Sequence, residues 1–374
     1  MRRFVAIASA GIGTAGAILS TGTVLAHSSG GAPEPTLAGV FGWWLFDPLP
    51  WIGTIIAAAA YLVAARRVNR RLPRVPVPIW RQVAWLSGLA TVLIALVSAI
   101  DLYSGELLSV HMVQHLLLAM IAPPLLALGA PVTLLLRVAD PATRRRLILP
   151  SLHSRIVRAV ASPLGAWSLF TAAMFVTHFS PLYEAALENE GLHMAEHLVF
   201  LVTGTLFWWP IVAADPVPGR LRFPARVVYV VLQMPVNAAV GLAIYFAPTV
   251  LYAHYATLER TWGPTARVDQ QVAGAIMWGA GDLILLATVP ILVAAWMRAD
   301  ARRTRRDMPA ESPRPTGRRG SRRGTARRRR RSASSSWSPR PTCGSRPTRG
   351  PAGRGSPRSR SSRVRTARAH RGSR

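Results

Sequence analysis

Seven stretches of the chain, at about 49–65, 80–100, 112–136, 162–178, 194–213, 226–247 and 272–296, are apolar along nearly their whole length. A helix needs roughly 20 such residues to cross the hydrocarbon core of a bilayer. In that solvent only helices and closed barrels leave no backbone group unpaired. The pattern predicts an all-α polytopic membrane protein, a seven-transmembrane-helix bundle over 49–298 whose solvent is the lipid bilayer.

Charge is distributed unevenly around those runs. The formal net charge is +29, and all 45 basic residues are arginine. Of these, 25 lie in 302–374 beside only Asp307 and Glu311. The segment 299–374 therefore reads as a basic cytoplasmic tail rich in Arg, Ser, Pro and Gly, a composition that buries no core and is expected to be disordered. Charge alone would let it attract anionic lipid or nucleic acid; the preferred reading is a solvated extension with no nucleic-acid partner. Cys343, the single cysteine, also lies there, so metal chemistry within one chain has to use nitrogen, oxygen or thioether ligands.

The start has Arg2 and Arg3, then a small-residue apolar stretch, then Val24-Leu25-Ala26. That is the pattern of a signal peptide over 1–26, followed by an extracytoplasmic segment at 27–48; an uncleaved first helix is the alternative. Cleavage would expose His27, whose amine and imidazole can chelate one copper ion, although a polar residue in a mobile terminus is the simpler reading. Arginines cluster in alternate connections: 66–81, 137–158, 220–226 and beyond 298. Connections 101–110 and 179–193 contain none. Positive residues stay cytoplasmic, which predicts a mature N-terminus outside and a C-terminus inside.

Six of the seven histidines between 49 and 301 then fall at the outer surface: His111, His115, His178, His193, His197 and His254. The chain reads H-M-V-Q-H at 111–115 and H-M-A-E-H at 193–197. Residues at i and i+4 share one helix face, about 6 Å apart. Two such faces, apposed, bring four imidazoles together, with Gln114 and Glu196 able to orient the rings as outer partners. His178 could add a ligand, and His254 and Asp269 could serve as peripheral ligands or gates. Met112 and Met194 fall on adjacent faces and read as packing residues. Imidazole-rich sites favour copper, with zinc as the alternative.

Other chemistries fit less of the pattern. H-x-x-E-H matches a metalloprotease signature, but no third ligand accompanies it. A bis-histidine haem uses one ligand from each of two helices and leaves half of each pair unexplained. A transporter would continue polar residues to the cytoplasmic side, where only Asp282 is deep. Asp282 reads equally as a proton relay or as a structural hydrogen-bond partner. Asp269 and Gln270 read as site-lining residues, Pro123 and Pro124 as a break in the third helix, and "LFWWP" at 206–210 as an interfacial anchor.

Together the runs HMVQHLLL with APPLLALGAP, EGLHMAEHL with FWWP, and DQQVAGAIMW resemble the polytopic CtaG-type cytochrome c oxidase assembly factors, a seven-span bacterial family. The likeness covers roughly 37–298. GAGD at 279–282 departs from it, and the arginine-rich tail has no counterpart. The resemblance implies residence in a bacterial plasma membrane, haem–copper oxidase subunits as partners, and a role in copper insertion or copper-centre maturation; it does not imply a turnover reaction, and the chain is expected not to be an enzyme. A metal-free scaffold for oxidase subunits is the alternative.

Overall fold

The computed structural model describes residues 32–216 and 219–307; the expected signal peptide, His27 and the chain from 308 onward lie outside the described residues. Among the described residues there is no sheet, only an isolated bridge between Trp44 and Ser98. Among the described residues, six helices are long and apolar enough to cross a membrane. We label them α1 (Pro48–Arg71), α2 (Ile79–Val97), α3 (Leu108–Val138), α5 (Glu190–Val212), α6 (Phe223–Phe246) and α7 (Ala266–Arg305). The seventh expected span is α4, Pro163–Phe179, a shorter helix of 17 residues. Helical backbone continues from α7 to Asp307, past the boundary at 298 that composition suggests.

Helix ends follow side-chain chemistry. Asp47 caps α1 through the Leu49 N–H at 2.9 Å, and Pro48 occupies a position where no N–H is needed. Ser162 caps α4 and Asn189 caps α5. Ile52, Ile55 and Ile56 on α1 remain exposed within the chain, as lipid-facing residues are.

α3 is the irregular centre of the bundle. Its first segment, Leu108–Leu116, gives way to a π-helical turn at Leu117–Ile121. The cause lies just beyond, because Pro123 and Pro124 have no N–H to return to the preceding turn. The Ala119 carbonyl accepts instead from the indole N–H of Trp208 on α5, at 3.2 Å. Trp208 is therefore not the interfacial anchor its sequence context suggests; it is buried, and it rewards a backbone acceptor that proline released. Gly204 permits the approach, since a Cβ there would stand 2.7 Å from the Ala119 oxygen. Trp208→Phe leaves that carbonyl unsatisfied and is expected to cost about 1–3 kcal/mol, read as a lower melting temperature in detergent. A melt equal to wild type would show the bond to be dispensable.

Below the prolines, Ala130 adopts a left-handed conformation, φ 51°, and α3 restarts at Pro131. Asp215, on the connection after α5, caps this last segment from outside by accepting from the N–H groups of Val132 (3.2 Å) and Thr133 (2.6 Å). α6 and α7 pack backbone to backbone at Gly241 and Gly274: a Cβ on Gly274 would meet the Gly241 oxygen at 2.6 Å. Small residues at such crossings are the usual device of helices without a hydrophobic drive toward one another.

One topological consequence places the site. His193 opens α5 and stacks against His111, which opens α3, with ring centroids 5.3 Å apart. Both helices therefore start at the same end of the bundle, and α4 is the segment that brings the chain back. Its last turn puts His178 5.8 Å from His115, ring to ring.

Candidate metal centre

Five histidines converge at the end of the bundle where α3 and α5 begin. His111 is fully buried, and His115, His178, His193, His197 and Glu196 are nearly so. The His111 and His115 Nε2 atoms are 2.8 Å apart. The His193 and His197 rings lie 4.2 Å apart and those of His115 and His197 6.2 Å. Glu196 Oε2 stands 4.0 Å from His115 Nε2. His111, His193 and Glu196 each offer a ligand atom within 4.8 Å of the other two. The i, i+4 pairs thus face each other as their spacing predicts, and Glu196 enters the group as a candidate ligand rather than as an outer partner.

Hydrogen bonds around the rings set which nitrogens are available. Tyr255 donates its hydroxyl proton to the Ser104 carbonyl at 2.8 Å and lies 3.2 Å from His111 Nδ1. Burial raises the Tyr255 phenol far above the usual tyrosine range, so it stays protonated, and its oxygen accepts from His111 Nδ1–H. That assignment leaves His111 Nε2 as a lone pair, which accepts from His115 Nε2–H and leaves His115 Nδ1 bare. His115 Nδ1 is in fact buried without a hydrogen-bond partner. His178 is held in the same manner: its Nδ1–H donates to the Met174 carbonyl at 2.7 Å, and its Nε2 is buried without a hydrogen bond. Fixing one ring nitrogen on a neighbour so that the other is presented as a ligand is the usual support of a metal-binding histidine.

Both Glu196 oxygens are likewise buried without a hydrogen-bond donor. A carboxylate in that position needs a proton or a cation. The donor set, imidazole with one carboxylate and no thiolate, suits a divalent ion of the copper or zinc kind.

Three expected site residues serve other purposes. Asp269 is fully buried, but it caps α3 from α7, accepting from the Leu108 N–H (2.6 Å), the Ser109 N–H (3.3 Å) and the Ser109 hydroxyl (2.5 Å). It holds the turn that carries His111 and does not reach the rings. Gln114 turns toward α2, donating to the Ala95 carbonyl and to Asp101, each at 2.8 Å, so it orients no histidine. His254 donates from Nε2 to the Gly105 carbonyl at 2.9 Å and stays outside the cluster, although its neighbour Tyr255 reaches His111. Gln270 is buried too, and ties down the connection after α6 through the Leu251 N–H at 2.7 Å. Asp282 accepts from Asn237 at 3.0 Å, as a structural hydrogen-bond partner does.

The residues that sequence reasoning missed are tyrosines of the connections. The Tyr183 ring lies 5.2 Å from that of His111 and 4.3 Å from Tyr252. Tyr252 donates to the His178 carbonyl at 3.1 Å. Together with Tyr255 they roof the histidines. Their only signal is the aromatic content of "SPLYEAA" and "LYAHYAT", short segments between the apolar runs.

The family model described as cytochrome c oxidase caa3 assembly factor (Caa3_CtaG) matches residues 59–299. Uncharacterized proteins of Mycobacterium bovis and Mycobacterium tuberculosis are each 34% identical over 286 residues, and one of Mycobacterium leprae is 31% identical over the same length. Those alignments cover 74% of this chain and 43% of each relative, so the chain spans under half the length of the curated relatives it matches. No solved structure matches.

Proposed function

Because the chain belongs to the cytochrome c oxidase caa3 assembly factor family, we propose that it serves oxidase assembly as a copper-handling membrane protein, with copper as its cargo. The observation that carries this reading is the buried group of His111, His193 and Glu196, whose ligand atoms lie within 4.8 Å of one another. His115, His178 and His197 stand around it as further imidazoles, able to pass an ion between neighbouring ligand sets. Delivery requires an ion that can leave, and a site without thiolate holds copper less tenaciously than a cysteine site does.

The same proposal includes orientation. α4, at 17 residues, is at the short end of what crosses a bilayer, and the return of the chain between α3 and α5 supports it as the seventh span. Arginine-rich connections at the far end then lie in the cytoplasm, and the histidines face outward. Partner oxidase subunits would meet the protein at that outer face.

The test is the metal content of the detergent-purified protein after loading with Cu(II) in the absence of reductant, beside a variant carrying His111→Ala, His193→Ala and Glu196→Gln. The expected result is near-stoichiometric copper in the parent and loss of most of it in the folded variant. Equal copper in both, or none in either, would remove the metal and leave assembly without it.

A further inference from the structure

A second donor set lies one helical turn deeper than the histidine group. A cavity of about 30 Å³ is enclosed between α3, α4, α5, α6 and α7, room for an ion or one or two waters. Four methionines line it, Met112, Met120, Met174 and Met277, together with His115 and His178. They come from three helices, and no carboxylate is among the lining residues.

Methionine is a common filler of irregular cores, so four of them would by themselves indicate packing. Two further observations point to a ligand. First, each of the two histidines of the wall keeps one nitrogen, His115 Nδ1 and His178 Nε2, buried with no hydrogen-bond partner. Their other nitrogens are engaged by His111 and by the Met174 carbonyl. Second, Met120 and Met277 both sit in π-helical turns, Leu117–Ile121 and Ile276–Ala280. Single π-turns inside helices recur at functional sites, and here two of them present a thioether to the same small space.

From this geometry we infer that the cavity is a thioether–imidazole site for a soft monovalent cation, Cu(I), beneath the His111, His193 and Glu196 group. Thioether ligands select Cu(I), and imidazole also suits copper. Charge argues the same way: neutral ligands in a low-dielectric interior tolerate one positive charge far better than two, because desolvation cost rises with the square of the charge. The upper group has a carboxylate to offset a divalent charge, and the lower one has none. His115 links the two, its Nε2–H donating to His111 and its Nδ1 left for the lower site. The inference extends the metal reading above and rests on it for the supply of copper, but it makes its own claim about sulfur.

The experiment is copper K-edge X-ray absorption on the full chain in detergent, loaded anaerobically with Cu(I) under reductant, together with Cu(I) competition against a chromogenic chelator. It is run on the parent, on the volume-conserving variant Met112→Leu/Met120→Leu/Met174→Leu/Met277→Leu, and on the upper-group variant H111A/H193A/E196Q. A copper–sulfur shell is expected in the parent and in the upper-group variant. It should disappear in the methionine variant, with Cu(I) affinity falling about tenfold or more. Only nitrogen or oxygen scatterers in the Cu(I)-loaded parent would overturn the inference, as would a sulfur shell that survives in the methionine variant. Because the parent spectrum needs no substitution, a variant that fails to fold does not rescue the idea. Divalent copper bound at the upper group with no sulfur shell would sink this inference alone. A sulfur shell in the Cu(I)-loaded parent, with Cu(II) bound equally by the parent and the upper-group variant, would sink the histidine reading alone.

Discussion

Asp269→Ala is expected to lower the stability of the bundle by about 3–5 kcal/mol, the scale of removing a buried charged acceptor from several donors. The carboxylate accepts from two backbone N–H groups and one hydroxyl at the start of α3. No side chain of α3's own cap position, Leu107, can replace it. His111 follows these N–H groups within one turn, so the same substitution should also reduce copper held by the folded protein. Asp269→Asn keeps one acceptor oxygen and should lie between; Ser109→Ala removes only the hydroxyl and should cost about 1 kcal/mol. Thermal unfolding followed by circular dichroism, with metal analysis of the folded fraction, measures both. An Asp269→Ala protein that melts with the parent would show that the cap is not what holds this turn.

The second large effect is expected at the crossing of α6 and α7. A Cβ added at Gly274 meets only backbone: the Gly241 oxygen at 2.6 Å, the Tyr245 nitrogen at 2.7 Å and the Tyr245 Cα at 3.0 Å. Backbone cannot change rotamer, so even Gly274→Ala has to part the two helices. A loss of about 2–4 kcal/mol is expected, at or above the usual cost of overpacking. Gly279 provides the control on the same helix, because a Cβ there meets nothing within 4 Å. Gly279→Ala should be neutral or stabilising by up to about 1 kcal/mol, as alanine is within a helix. If the two variants melt alike, close backbone contact is not what joins α6 to α7.

The seven apolar runs and the pairing of the two histidine motifs were legible before any coordinates because both rest on local rules, run length and the 3.6-residue turn. The rest depended on neighbours. Gln114 and Glu196 occupy the same place in their motifs, three residues after the first histidine, and so the same angle on their helices. One turns to Ala95 and Asp101 on the α2 side and the other faces His115, because different helices stand opposite them. Asp269 shows the same limit: its placement beside the histidines was legible, its service to another helix's N–H groups was not. Trp208 followed the interfacial preference of tryptophan only until a proline on α3 left it a carbonyl to satisfy.

Helix α3 is pinned at two points by carboxylates from elsewhere in the chain, Asp269 at Leu108 and Ser109, and Asp215 at Val132 and Thr133. A strut fastened at both ends cannot slide along its axis. Any change in its length has to be taken up between the fasteners, where the π-turn, the two prolines and the left-handed Ala130 already depart from the regular ladder. Deleting one residue there would rotate everything on one side of the cut by about 100° while both ends stayed anchored. The irregular middle of α3 therefore acts as the bundle's expansion joint, and it sits between Met112 above and the arginine-bearing end below.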